Sequence, residues 1–405
     1  MNDTSTDISK QLSWRKILVP VLIGVIAAGG LLWWNLQKVT FIKATNETEI
    51  TFQWVGSDEG ELPDTSNAEE FRLAENGEWA KTTPTELLAS YQWSAGAIWA
   101  ILAALLMVAL RDLGYMYRIR ILTDKAFSWR KSFDIIMLWE FASALTPSVV
   151  GGSGVAIFVL NREGLNLGRS TATIFVTALL DELFYIICVP LVIFFIGTSN
   201  LFPKEALFEV VSPGTLKTLF YVGYGFILLL TTTILLGIFF FPQGTKRFLV
   251  GVFSWRLLRR WKGRVEKLGD EIILSSDFFR GKSLVFWLKS FGATIVSWTA
   301  RFLTLNFILL AFVSGFDHIE VVGRQLVMWV ILLISVTPGS SGIAELLMPA
   351  FFTYLPWEDP LLAPVLLVIV AILWRLLTYF PYLFVGAAVL PSWLRRTRKR
   401  VRTVN

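Results

Sequence analysis

The chain carries a series of apolar runs long enough to enter a bilayer, and two of them are interrupted where a spanning helix should be whole. The first interruption reads Thr146-Pro147-Ser148-Val149-Val150-Gly151-Gly152-Ser153-Gly154. The second reads Thr337-Pro338-Gly339-Ser340-Ser341-Gly342-Ile343-Ala344-Glu345. Proline removes a backbone donor, and glycine weakens a helix by about 1 kcal/mol relative to alanine. Hydrocarbon offers no water to a freed backbone group, so irregular chain at membrane depth survives only inside protein or along a wet cavity. Broken segments at matching places in two halves of a chain point to a transporter's binding site.

Composition sets the class. Of 405 residues, 54% are hydrophobic and 17% charged, with a mean hydropathy of +0.59. These values place the chain among polytopic membrane proteins. A single cysteine, Cys188, excludes an intrachain disulfide. A single histidine, His318, argues against a His/Cys metal centre and against histidine acid–base chemistry. No metal and no cofactor is expected. The sequence pI of about 9.3 comes from cations beside the apolar runs, which suits inner-leaflet loops rather than nucleic acid. No cleavable signal follows the first apolar run.

Charge asymmetry organises the chain. Residues 1–34 hold a first span behind Lys10, Arg15 and Lys16, so the N-terminus is expected in the cytoplasm. Residues 35–90 carry 11 acidic against 4 basic side chains. They read as an extracytoplasmic insert, and the alternation at 39–42 and 49–54 suggests a small β-hairpin. Residues 91–241 form a first half with a helix-breaking segment at 134–170; a second span at 91–110 precedes a basic loop at 111–133. Residues 242–283 hold ten cations against four anions, and the Trp, Leu and Arg near 248–265 suit an amphipathic helix on the inner leaflet. Residues 284–395 form a second half with its break at 326–360, and 396–405 is a basic tail. If each broken segment is a re-entrant hairpin, every basic loop falls inside and every acidic loop outside. The expected fold is therefore all-α and polytopic, with about six full spans and two re-entrant helical hairpins entering from opposite faces as an inverted repeat.

Charged residues inside apolar runs are the candidate site. Each costs about 2.5–3.5 kcal/mol at a helix centre on insertion scales, so an idle one is disfavoured. Arg301 and Arg375 are the candidate phosphate-binding cations, because a buried guanidinium stays charged and its fork matches phosphate. Backbone amides near Gly151, Gly152, Gly339 and Gly342, beside Pro147 and Pro338, would assist at half-helix ends. Tyr379 follows Arg375 by four positions on the same helix face. Asp181, Glu182, Glu140 and Glu345 would balance charge or relay protons. The bland reading is internal pairing that fixes helix packing, for example Asp181 with Arg375. Asp181 and Glu182 point about 100° apart on a helix, so both cannot face one ligand squarely.

The segment Glu140 to Gly152, followed by Arg162-Glu163-Gly164, resembles the lysylphosphatidylglycerol synthase transmembrane-region family. The stretch Thr337 to Glu345 is similar to that family's Pro-Gly-x-x-Gly-x-x-Glu signature. The resemblance covers roughly residues 91–395. It carries Pro147, Gly151, Gly152, Arg162, Pro338, Gly339, Gly342 and Glu345 over as matching positions. That family is the membrane half of bifunctional proteins that aminoacylate phosphatidylglycerol and move it between leaflets, and it also occurs alone. The resemblance implies a stand-alone flippase-like protein of a bacterial inner membrane; the flanking cations place both termini in the cytoplasm, and without catalytic motifs an enzyme is not expected. No aminoacyltransferase domain accompanies it here, so lysyl-lipid synthesis is not implied.

No phosphate-binding loop, dinucleotide fingerprint, zinc-protease motif or nucleophile elbow is present. Movement of a substrate would then draw on an ion gradient or be passive. The leading expectation is a protein that moves a phosphate-bearing lipid or lipid-linked amphiphile between leaflets without ATP. An ion-coupled carrier of a small organic anion uses the same features. A membrane-embedded lipid transferase, with Asp181 and Glu182 as acid–base pair, and a non-catalytic partner of an envelope-biosynthesis enzyme stand as further alternatives.

Overall fold

The computed structural model describes residues 40–43, 50–55, 68–74, 77–90, 94–146, 148–204, 212–255, 262–335, 337–357 and 362–403, with isolated positions between 22 and 37 and at 259. It is mostly helical. Among the described residues, five stretches are long and apolar enough to cross a membrane: Ala95–Leu122, Leu167–Ile196, Pro213–Leu235, Leu284–Leu310 and Ala363–Thr397. The expected first span lies largely outside the described residues; its described positions from Leu22 to Trp34 are helical.

The acidic insert is a four-stranded antiparallel sheet, β1 (Thr40–Lys43), β2 (Thr51–Trp54), β3 (Phe71–Leu73) and β4 (Trp79–Thr82), in the order β1-β4-β2-β3. Both strands suggested by alternation are present, but they do not form a hairpin with each other. β4 inserts between them, pairing Thr40 with Thr82 on one side and Thr51 with Ala80 on the other. The aromatic side chains decide this: Phe41 stacks on Phe71 with centroids 4.1 Å apart, and Trp79 meets the edge of Phe71. A short helix α1 (Pro84–Ser90) follows.

The bundle begins with α2 (Ala95–Leu122), capped by Ser94. It continues through α3 (Trp129–Leu145), α4 (Ser148–Arg162), α5 (Leu167–Ile196), α6 (Thr198–Leu201) and α7 (Pro213–Leu235). Next come α8 (Pro242–Val252), α9 (Lys262–Arg280), α10 (Leu284–Leu310), α11 (His318–Leu332), α12 (Ile343–Phe352), α13 (Ala363–Thr378) and α14 (Phe380–Thr403). Helix starts are readable in the sequence: Ser94, Ser128, Asn166, Ser212, Ser283 and Asp317 each accept an N–H of the first turn.

The second helix corrects one boundary. The apolar run ends near residue 110, and the cations beyond it read as a loop, yet α2 continues three further turns to Leu122 with Arg111 and Arg118 buried. The amphipathic segment is also divided. α8 ends before residue 253 and α9 starts at Lys262, packed back on it with Gly269 against Lys246. The Trp/Arg run at 256–261 lies mostly outside the described residues.

Both breaks are real. Helix α3 stops at Thr146 in extended backbone, and α4 turns back along it, so that Gly152 lies against Ser143. At 17 and 15 residues, α3 and α4 are about 25 and 22 Å long. Helix α11 stops before residue 333, and α12, only 10 residues, returns beside it, with Arg324 Nη1 donating to the Phe351 carbonyl at 3.0 Å. The base of the α3–α4 pair lies with the start of α5: Arg396 reaches Asp134 (2.6 Å) and Glu163 (2.7 Å), while Lys282 and Arg169 meet Asp124. The base of the α11–α12 pair lies with the far end of α5, where Gly323 packs on Val192, Ile196 and Leu201.

Any side chain at position 152 meets Ser143, whose Cα would lie 2.9 Å from the new Cβ, whereas Gly154 faces open space. Gly152→Leu is therefore expected to destabilise the purified protein by about 1–3 kcal/mol, and Gly154→Ala to stabilise it by up to about 1 kcal/mol. Thermal unfolding in detergent checks both signs.

Candidate functional site

A cavity of about 290 Å³ opens between the two breaks. Thr146 and Ser153 line it from the first, Gly339 and Ser340 from the second. Its walls carry an unusual density of charge for an apolar bundle, and nearly every charge has a stated partner.

Helix α2 supplies Arg111, Tyr115 and Arg118, spaced to share one helix face. Arg111 pairs with Glu140 on α3 at 2.5 Å and lies over the rings of Tyr115 and Tyr382. Arg118 embraces Asp181 on α5 with both terminal nitrogens, Nη2 to Oδ2 at 3.0 Å, and donates to Thr294 at 3.0 Å. Trp298 Nε1 donates to the same Asp181 carboxylate at 2.8 Å. Charge-assisted pairs of this kind offset the large cost of taking each ion out of water.

The second break is held by a clamp. Arg375 Nε donates to Glu345 Oε1 at 2.8 Å; its Nη2 donates to the Gly339 carbonyl (3.1 Å) and to Ser341 Oγ (3.0 Å). The other oxygen of Glu345 accepts the Gly342 N–H at 2.7 Å. Backbone freed by the break is thus satisfied inside protein, as an apolar surrounding requires. Tyr379, the residue between α13 and α14, ties the two breaks together. Its hydroxyl donates to the Ala144 carbonyl at 3.0 Å and receives Ser341 Oγ at 3.3 Å, and its ring lies 3.7 Å from the Arg375 guanidinium. Gly339 adopts φ +56° against that ring, a position where a Cβ would collide with Tyr379.

Two ionisable groups on the cavity wall are left less engaged. Arg301 sits between the rings of Trp298 and Trp329, at 4.9 and 4.8 Å, with Glu140 Oε2 at 3.8 Å. Glu182 is 6% exposed, and its Oε2 meets no donor among the described residues.

The sequence-derived candidates therefore divide. Arg301, Arg375, Gly339, Tyr379, Glu140, Asp181 and Glu182 line the cavity. Glu345 and Gly342 stand behind it in the clamp, and the Pro338 carbonyl accepts the Ser341 N–H at 3.1 Å within the same loop. Gly152 packs inside the first helix pair, and Gly151 lies in α4. Pro147 lies outside the described residues. Arg162 is corrected: it ends α4 away from the cavity, where its Nε donates to Thr397 at 3.0 Å. Asp181 pairs with Arg118 and not with Arg375. Arg118 and Trp298 join the site from outside the sequence-derived candidates; the i, i+4, i+7 spacing of Arg111, Tyr115 and Arg118 is the signal that finds Arg118, and nothing in the chain marks Trp298.

The sequence pattern of the lysylphosphatidylglycerol synthase TM region matches residues 78–386. The chain belongs to the lysylphosphatidylglycerol synthase transmembrane-region family. It is a multi-pass integral membrane protein. A UPF0104 membrane protein of Archaeoglobus fulgidus is 27% identical over 321 residues, covering 76% of this chain and 90% of that protein. No solved structure matches. In this member of the family, the Pro-Gly-x-x-Gly-x-x-Glu segment serves to anchor a broken backbone: its glutamate binds Gly342 N–H and Arg375 together.

Removing one partner of a buried ion pair strands the other, at about 3–5 kcal/mol. Arg375→Ala and Glu345→Ala are each expected to lower the unfolding temperature strongly. The double variant is expected to lose much less than the sum of the two, since both charges leave together. A double-mutant cycle by thermal unfolding in detergent checks this coupling.

Proposed function

We propose that this protein moves a phosphate-bearing lipid, or lipid-linked amphiphile, between leaflets without ATP hydrolysis, with the head group bound at Arg301. The observation that carries this reading is the position of Arg301. It faces a cavity bounded by both helix breaks, and its one ionic contact among the described residues is Glu140 at 3.8 Å. A guanidinium so placed has donors to offer a phosphate, and its charge persists when water is excluded. Arg375, expected as a second phosphate ligand, gives its Nε and Nη2 to the clamp, so its part is to hold the loop that faces the head group. A space of about 290 Å³ suits a head group, with acyl chains left in the bilayer.

In this reading the two helix pairs are re-entrant and enter from opposite faces. Support comes from their length, since helices of 10 to 17 residues fall short of a core about 30 Å thick. Further support comes from their bases, which pack at opposite ends of α5, and from charge. Basic segments at 125–131, 162–169, 246–282 and 395–402 share one side, the cytoplasmic one by the positive-inside rule, and the acidic insert falls on the other. The relation of the two pairs is that of an inverted repeat about the cavity. The transferase reading loses ground because Asp181 is already bound by Arg118 and Trp298.

Liposomes holding purified protein and fluorescent phosphatidylglycerol test the proposal. Arg301→Ala is expected to slow head-group movement at least about tenfold, the scale of a lost charge-assisted bond of about 1.5–3 kcal/mol. The exposed Lys289→Gln is expected to keep the parent rate. An undiminished rate for Arg301→Ala overturns the site. Topology has its own check in a Cys188→Ala background. Leu167→Cys and Thr353→Cys, both exposed, are expected to react with an impermeant maleimide from opposite faces of sealed vesicles.

A further inference from the structure

Building on the translocation reading, we propose that Glu182 is the proton-binding group of this cavity, and that a singly charged phosphodiester head group and a proton occupy the site together. Three guanidinium groups line the cavity, Arg118, Arg301 and Arg375, and a fourth, Arg111, stands behind it on Glu140. Five carboxyls accompany them, and four of those have named donors. Asp112 accepts from the Tyr382 hydroxyl at 2.9 Å, Glu140 from Arg111, Asp181 from Arg118 and Trp298, and Glu345 from Arg375 and the Gly342 amide. The fifth is Glu182, buried on the cavity wall with Oε2 unmet among the described residues.

With Glu182 neutral, four cations face four carboxylates and the buried set carries no net charge. Ionised, Glu182 adds one uncompensated negative charge beside the Asp181 carboxylate, in an apolar bundle where an isolated ion is very costly. The other ionisable groups that line the same cavity sharpen this. Tyr115 and Arg118 come from α2, Glu140 from α3, Asp181 and Tyr185 from its own helix, Arg301 from α10 and Arg375 from α13, all on the same cavity wall. Tyr224, on the adjoining α7, gives its hydroxyl to the Ile186 carbonyl at 3.3 Å. Arg118 and Arg375 are hydrogen-bonded to other carboxylates, whereas among the described residues the ionic contact of Arg301 is the 3.8 Å approach of Glu140, which leaves it donors to spare.

The consequence is linkage. A phosphodiester anion at Arg301 raises the cost of a second negative charge at Glu182, so the fraction of Glu182 that is ionised takes a proton from solution as the anion enters and returns it when the anion leaves. The phosphodiester keeps its charge throughout. By reciprocity, protonating Glu182 strengthens anion binding to the same degree. Affinity is therefore full where Glu182 is protonated and falls as rising pH ionises it. Asp181 and Glu345 do not serve this role, because each already accepts hydrogen bonds from an arginine.

The test is calorimetric binding of dihexanoyl-phosphatidylglycerol to the full-length protein in dodecylmaltoside, from pH 6 to pH 9. A phosphodiester is chosen because a monoester itself titrates near pH 6. Affinity is expected to fall about tenfold or more across that range, the effect of one unit of linkage. Paired buffers of different ionisation enthalpy are expected to report uptake of a fraction of a proton on binding, rising toward one at high pH. Glu182→Gln is expected to abolish both the pH dependence and the proton uptake. Binding that is independent of pH in the parent protein, with no proton taken up, overturns the inference even if the variant does not fold. So does a Glu182→Gln protein with the parent's pH profile. Absence of binding at every pH overturns the lipid reading as well.

Discussion

A broken helix in an apolar surrounding needs its freed backbone groups met from within the protein, and the Arg375–Glu345–Gly342 clamp meets that need at the second break. The rest of the site is arranged around the clamp. Arg375 fixes Gly339 and Ser341, Ser341 meets Tyr379, and Tyr379 reaches across to Ala144 at the first break. Two interruptions far apart in sequence become the two walls of one cavity through a single phenol. The position of Tyr379 between α13 and α14 is what lets one side chain touch both.

The same economy governs charge. Arg111, Arg118 and Arg375 each hold a carboxylate, and these pairs cross between helices: α2 to α3, α2 to α5, α13 to α12. They act as cross-links whose removal leaves a stranded ion. Arg301, with Glu140 only at 3.8 Å, and Glu182, with Oε2 unmet among the described residues, are held more loosely, and the proposed chemistry is placed on them for that reason. A buried residue held by several partners is poorly placed to exchange a ligand, while one with spare donors or none is ready to take one up.

Much of this was legible in the chain. The Pro/Gly interruptions, the capping residues and the intramembrane Glu140, Asp181, Glu182, Arg301 and Arg375 stand out because hydrocarbon tolerates few such groups. What sequence did not give was pairing. Arg111 and Arg118 read as loop cations because they follow the apolar run, yet they lie on one face of a helix that continues past it. A charge after an apolar stretch looks the same whether it reaches water or a partner on another helix. The insert failed in a similar way: both strands of the suggested hairpin are present, but the strand that separates them, β4, comes last in the chain. Arg162 stood close to a recognisable motif, and only the three-dimensional arrangement moves it to the base of α4, beside Thr397.

The most direct test is an experimental structure of the protein in nanodiscs that retain co-purified lipid. The account predicts head-group density inside the cavity, with a phosphate oxygen within hydrogen-bond distance of the Arg301 guanidinium, bounded by the breaks at Thr146 and Gly339. A cavity holding only water while lipid stays on the outer surface of the bundle, or an Arg301 turned out toward acyl chains, would contradict it.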